Sequence, residues 1–559
     1  EERPWTALAP DTVTERNSST KWLCHFVDII KNTMGMAFIH SSRRKEEYAV
    51  MDMRLVKESI QLEQPTGRGQ SQATVEGEIT LPGGLREEAR VLHAGGMAVV
   101  ESVEAMQDRV SVMGKVVFHT LYTQGDHSRV NAMEATADFT HVMELPGAQP
   151  RNLCLADAWV EHVDASAAGG RLNLRAVVGI HGRSVSQQPV EAVTGITGVA
   201  GVESRARDIA VKRTVANGDT EKLLREEFAL PENMQIRETL YATARVQLGE
   251  ITGGLGRAGV SGQVALEAVH ASDLPGKPVV ITRHSIPFEQ SVELTGEDGE
   301  TLRADALVRD VAVASQDVGD GQRTLRAEVL LGLKAWADRQ ENVTLLDDAY
   351  TLQGDDLRIT ARELGCRVED RSIHAAESGK TMLMLPEGSP AVRSVLCAFA
   401  TPMIAGREQI GGRLTVEGML EVSLLYMTDD SPEPVAVACA EPFRITFAAQ
   451  AGEEDFITLQ CGEVDASAIT SDRIELRYIM HLCVHGVESA SLRLVTDVLP
   501  VAAPAVDGSI VLYFTQPGER LWDIARRYRV PEREIRDLNP ELVEEPKPGQ
   551  GVVVWHRMA

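Results

Sequence analysis

The stretch Leu414-Thr415-Val416-Glu417-Gly418-Met419-Leu420-Glu421-Val422-Ser423-Leu424-Leu425-Tyr426 decides the fold class. Leu414, Val416, Gly418, Leu420, Val422, Leu424 and Tyr426 occupy every second position. Successive side chains of an extended chain point to opposite faces, so these residues share one face and predict a half-buried β-strand. Two other stretches read the same way. One carries Val110, Val112, Gly114, Val116, Phe118, Thr120 and Tyr122, the other Val260, Gly262, Val264, Leu266 and Ala268. A glycine inside each alternation predicts a bulge or a close backbone approach.

Working outward, further marks recur in a fixed order, which is the signature of internal repetition. Leu81-Pro82, Leu230-Pro231 and Leu385-Pro386 precede the glycine strands, and Leu174-Arg175, Leu325-Arg326 and Leu476-Arg477 follow them. Phe139, Phe288 and Phe443 lie 25, 26 and 25 residues after the glycine. Turn signals stand before each Leu-Arg: Gly169-Gly170, Gly319-Asp320-Gly321 and Thr470-Ser471-Asp472. Many short strands with such punctuation predict packed β-sheets. The expected architecture is mainly β: three tandem sandwich-like repeats at 51–188, 200–340 and 355–492. Residues 188–200 and 340–354 are the candidate joints.

A chain of 559 residues exceeds one hydrophobic core. Its net charge of −26 argues against a nucleic-acid partner, since neutralising phosphates needs clustered Lys and Arg. No stretch is apolar enough to predict a membrane span. The seven cysteines are scattered without C-x-x-C pairs, the pattern of unpaired structural thiols in a reducing compartment. Residues 1–50 carry seven acids and seven bases and show no periodicity. Lys45-Glu46-Glu47 can be encoded by a purine-rich ribosome-binding sequence three codons before Met51. Residues 1–50 are therefore expected to be upstream sequence or a disordered tail. No signal-peptide pattern is visible.

After the Pro/Ala-rich segment around Leu499–Pro504, expected as a linker over 493–508, the chain changes character. Val511 and Tyr513 mark a strand, and Gln516-Pro517-Gly518-Glu519 a turn. Leu521, Ile524, Ala525 and Tyr528 at i, i+3, i+4 and i+7 share a helix face. Pro531 suits the first residue of a second helix, which Asn539-Pro540 ends. Val552-Val553-Val554-Trp555 closes as a strand, giving a βααβ order.

This run over 509–556 resembles the LysM family. The matching residues are Tyr513, Pro517-Gly518, Leu521-Trp522, Ile524-Ala525, Tyr528, Leu538-Asn539-Pro540 and Pro548-Gly549-Gln550. The resemblance implies binding of N-acetylglucosamine-containing glycans such as peptidoglycan or chitin in a shallow groove between two loops. Here those loops hold Gly518, Glu519, Arg520 and Leu521, then Asn539, Pro540, Glu541 and Leu542. Glu519-Arg520 stands where the family carries Asp-Thr, so protein is the alternative ligand. Trp522 and Tyr528 are expected in the core.

Three β-rich repeats before one LysM module resemble the SPOCS-domain proteins of spore-forming Firmicutes. The residues that carry this are Leu424-Leu425-Tyr426, Glu441-Pro442-Phe443 and Val464-Asp465-Ala466-Ser467. Leu121-Tyr122, Phe139 and Val163-Asp164-Ala165-Ser166 echo them in the first copy, and Ile286-Pro287-Phe288 and Ala314-Ser315 in the second. The resemblance implies a spore morphogenetic protein of the mother-cell cytoplasm that tethers the coat's basement-layer ATPase to the forespore surface. No H-E-x-x-H, G-x-S-x-G, phosphate-binding lysine loop or dinucleotide fingerprint appears, so neither catalysis nor a cofactor is expected. His119, His127, His141 and His181 lack metal-ligand spacing, and no metal site is expected either.

Overall fold

The computed structural model describes residues 53–81, 89–125, 129–254, 256–319, 322–503 and 510–555. The N-terminal extension and Met51 lie outside them. The first repeat consists of β1 (Arg54–Gln61), β2 (Gln64–Thr80), β3 (Ala89–Met106), β4 (Arg109–Gln124), β5 (Val130–Glu144), β6 (Leu153–Ala168), β7 (Arg171–Ser186) and β8 (Pro189–Thr197). Strands β3-β4-β5 form one antiparallel sheet and β2-β7-β6 another. Their inner faces enclose one core, with Val110, Val112, Val116 and Phe118 against Val75, Leu174, Ala176, Val178 and Ile180.

The second repeat uses the same plan with β9 (Val202–Ala229), β10 (Ile236–Gly254), β11 (Arg257–Ser272), β12 (Val279–Glu293), the two-residue β13 (Thr295–Gly296), β14 (Thr301–Gly319) and β15 (Gln322–Thr351). In the third stand β16 (Asp356–Met384), β17 (Ser394–Ile410), β18 (Arg413–Met427), β19 (Val435–Phe447), β20 (Phe456–Ala468) and β21 (Arg473–Val501). Sheets β10-β11-β12 with β9-β15-β14, and β17-β18-β19 with β16-β21-β20, reproduce the two layers. The fold is mainly β. Among the described residues no helix is long and apolar enough to cross a membrane.

The repeat marks acquire physical roles. Gly114, Gly262 and Gly418 pair directly with Phe139, Phe288 and Phe443 on the neighbouring strand. On the other side the adjacent strand shifts register, between Val100 and Ser102, Leu248 and Ile251, and Ile404 and Gly406. A Cβ at any of these glycines would collide with a carbonyl of that shifted strand. The phenylalanine covers the surface that glycine leaves open, as aromatic cross-strand partners do. The Leu-Pro leucines close the outer strand, with amides bonded to the carbonyls of Gly170, Arg323 and Asp472.

Each repeat extends past its sandwich as a two-stranded ribbon. β1 runs along β8 from Arg54↔Thr197, β9 along β15 from Val202↔Thr351, and β16 along β21 from Asp356↔Val501. The structural repeats are therefore Arg54–Thr197, Val202–Thr351 and Asp356–Val501, joined by the short connections 198–201 and 352–355. The returning strands run through the positions expected as joints. Arg493–Val501, expected as linker, is strand paired with Glu363–Asp356. Sequence periodicity stops at the sandwich because the ribbons bury different surfaces. Ile60, Leu62, Val190 and Ala192 of the first, Val211 and Leu345 of the second, and Cys366, Leu492 and Leu494 of the third form a shared core.

Where ribbon becomes sandwich, every repeat is irregular: a break at Leu62-Glu63 between β1 and β2, and register shifts at Ala337/Asp338 and Arg367/Glu369. These three points meet. Arg367 bridges to Glu63 and to Asp338 (2.6 Å) and donates to the Thr214 hydroxyl (2.9 Å). Arg303 joins Asp338 (2.7 Å) to Asp370 (2.6 Å). Burial opposes ionising Asp338, but the Arg303 and Arg367 charges outweigh it and hold the carboxyl below its ordinary range. A second apolar hub at the other end of the sandwiches collects Leu92 and Leu121, Tyr241 and Val269, and Cys397 and Leu425. No disulfide links the six described cysteines. Cys366 and Cys397 are buried and the other four half-buried.

Candidate functional site

The C-terminal module comprises β22 (Ile510–Phe514), α1 (Leu521–Tyr528), α2 (Glu532–Leu538) and β23 (Gly551–Trp555), with β22 antiparallel to β23. Leu521, Ile524 and Ala525 pack with Ile535, Val552 and Val554. Pro531 is the residue before α2 rather than its first, with extended ψ of 136°. A proline there still forfeits no helical hydrogen bond. Tyr528 is half-buried, edge-on to Tyr513 at 5.8 Å.

The two loops expected to form the groove lie side by side. The Leu521 amide donates to the Glu544 carbonyl (3.1 Å), and Arg520 approaches Glu545 (3.6 Å). The eight candidate residues divide by role. Gly518, Arg520, Pro540 and Glu541 are exposed. Leu521 is core, and Leu542 packs half-buried against it. Glu519 accepts hydrogen bonds from the Tyr513 hydroxyl and the Gln516 amide, both at 2.8 Å, and pairs with Arg527 at 2.9 Å. Burial works against its ionisation, but these partners outweigh it and lower its pKa. Asn539 is buried: its amide donates to the carbonyls of Ile535 (2.8 Å) and Val553 (2.7 Å), and its Oδ1 accepts from the Val553 amide (2.8 Å). Its side chain fastens α2 to β23. Among the described residues no cluster of His, Cys, Asp and Glu is arranged to hold a metal ion.

A feature that sequence reasoning missed fixes this module to the second repeat. Asp348, at the ribbon end, accepts from the Trp522 indole (2.8 Å) and from Arg526 (2.7 Å). Tyr350 donates its hydroxyl to the Val530 carbonyl (2.7 Å) and meets Trp522 edge-on at 5.0 Å. Arg529 reaches the carbonyls of Thr351 and Gly354, each at 2.8 Å. Arg205 covers the Trp522 ring at 5.2 Å. Trp522 is therefore buried, as expected, but in the seam with the second repeat rather than inside the module alone. Counted from the ribbon irregularity, the place of Tyr350 is taken by Thr197 in the first repeat and Leu499 in the third. That difference was the available signal.

Comparison with known families agrees with this architecture. Residues 89–168, which span β3 to β6, match the family described as SipL, SPOCS domain. Residues 513–555 match the LysM domain. No curated protein and no solved structure matches the chain. The two later repeats copy the order and pairing of β3 to β6, with the two-residue β13 as an addition in the second. The chain thus carries a SPOCS domain of the SipL type followed by a C-terminal LysM domain, domain types that connect it with sporulation and with peptidoglycan.

Proposed function

We propose that this chain is a non-enzymatic scaffold of spore morphogenesis. It works in the mother-cell cytoplasm at the forespore surface, where it tethers the basement-layer ATPase of the coat. The observation that carries this reading is the union of a SPOCS domain and a LysM domain on one chain, with the LysM domain latched to the second repeat by Asp348 and Tyr350. A latched module passes force and position to the sandwiches, which suits a tether. Crosslinking in sporulating cells followed by purification of the chain is expected to recover the coat ATPase. Its absence from the crosslinked sample overturns the reading.

The LysM match favours a second reading, a glycan anchor to peptidoglycan. Gly518, Arg520, Pro540 and Glu541 offer an exposed, unobstructed edge for it. Sedimentation with insoluble peptidoglycan or chitin separates the readings. An anchor sediments, and the double substitution Arg520→Ala with Glu541→Ala weakens it by about tenfold, the scale of one or two lost hydrogen bonds. A protein tether stays in the supernatant.

A further inference from the structure

Between the three sandwiches lies a cavity of about 1890 Å³ to which all three repeats contribute. Sites for small molecules occupy roughly 300–1,000 Å³, so this volume suits a stretch of polypeptide better than a metabolite. Its lining holds nine Asp or Glu against four Arg and no Lys. Burial lowers three of the lining histidines, His93 to about 3 and His181 and His481 to about 4, while His162 is raised by its hydrogen bonds to Asp164 and Glu421 and so offsets part of the acidic excess.

One corner is more specific than net charge. Trp159 and His181 of the first repeat converge on Phe456 of the third, at centroid distances of 5.2 and 4.0 Å. Glu161 stands beside them, because Trp159 and Glu161 both lie across Gly179, where a Cβ would collide with either. Glu161 is raised out of β6 by the register shift between Val160 and His162. The equivalent strands shift at Val308/Asp310 and Gly462/Asp465, and the latter places Glu463 on the same cavity. Bulges re-aim single side chains in this way. The Glu161 carboxylate accepts from the Gln72 amide (2.5 Å) and, among the described residues, forms no ion pair. Burial pushes its pKa up. A carboxylate beside aromatic rings is the arrangement that stabilises an ammonium or guanidinium group.

We propose that this cavity receives an extended basic peptide, with a Lys or Arg side chain held by Trp159, Phe456 and Glu161. The site is separate from the LysM loops and does not depend on which ligand they take. Titration of the full chain with pentalysine, pentaglutamate and spermine, followed by calorimetry and tryptophan fluorescence, tests it. Pentalysine is expected to bind and pentaglutamate not. Glu161→Gln and Trp159→Phe should each weaken pentalysine about tenfold. The control double substitution Glu226→Gln with Glu227→Gln, both exposed on β9 and outside the cavity lining, should change binding by less than about twofold. Should Trp159→Phe lower the melting temperature, the isosteric Glu161→Gln decides alone. No binding of pentalysine at low salt overturns the proposal, as does equal weakening by the control. Spermine binding as tightly as pentalysine, with the same dependence on Glu161, overturns the assignment to a peptide.

Discussion

Asn539, a candidate of the LysM groove, has its side chain already engaged inside the module. Its place in the LysM loop suggests a ligand contact, while two of its three hydrogen bonds described above join it to Val553 of β23 and the third, to the Ile535 carbonyl, closes the end of α2 itself. Replacing it with Ala leaves the Val553 amide and carbonyl buried without that partner, since Val553 is only 3% exposed. Asn539→Ala should therefore destabilise the module by about 2–3 kcal/mol, measured by denaturant melts. An unchanged midpoint would contradict the assignment. Glu519 is similarly engaged through Tyr513 and Arg527. The Glu519-Arg520 departure from the family's Asp-Thr thus has one structural member and one exposed member.

At the scale of elements, the latch joins a helix to a ribbon end, and its strength rests on Asp348. This carboxylate is 8% exposed as a residue and takes both the Trp522 indole and Arg526. Asp348→Ala strands the indole N–H and a partly buried guanidinium, a loss of about 3 kcal/mol. The expected result is a LysM module that melts separately and earlier than the sandwiches in calorimetry. A single unchanged transition would show that Tyr350 and Arg529 suffice. The strands themselves were legible because alternation records which face meets a sandwich core. The double apolar step at Leu424-Leu425 broke that alternation for a reason invisible along one strand. Leu424 faces its own sandwich, while Leu425, fully buried, faces the hub shared with Leu121 and Val269.

For the whole molecule, the boundaries between repeats depend on residues far apart in sequence. Glu63, Thr214 and Arg367 sit at matching points of the three ribbons but share no chemistry, so self-comparison could not align them. Pairing explains them only once the three copies surround one axis. The same closure buries imidazoles between copies: His93 stacks on Phe399, and His181 on Phe456. Burial holds His93 near 3 and His181, His270 and His481 near 4, against an ordinary 6.5. The folded state thus keeps neutral what the unfolded chain protonates. That contribution to stability is complete above pH 6.5 and is lost as pH falls from 6.5 toward 4. Melting temperature should drop across that window, and His181→Phe should reduce the slope by up to about 1.4 kcal/mol per pH unit. A slope identical to wild type would place His181 outside the coupling.

Each repeat enters and leaves at the same ribbon tip, and only 198–201 and 352–355 separate one from the next. Such units have the form of interchangeable cassettes, removable without stretching the chain. The ion pairs among Glu63, Arg367 and Asp338 forbid the exchange, since each position in the ring demands a different side chain. The numbering of the repeats is therefore written into the molecule's interior, and growth by simple duplication of one unit is closed to it.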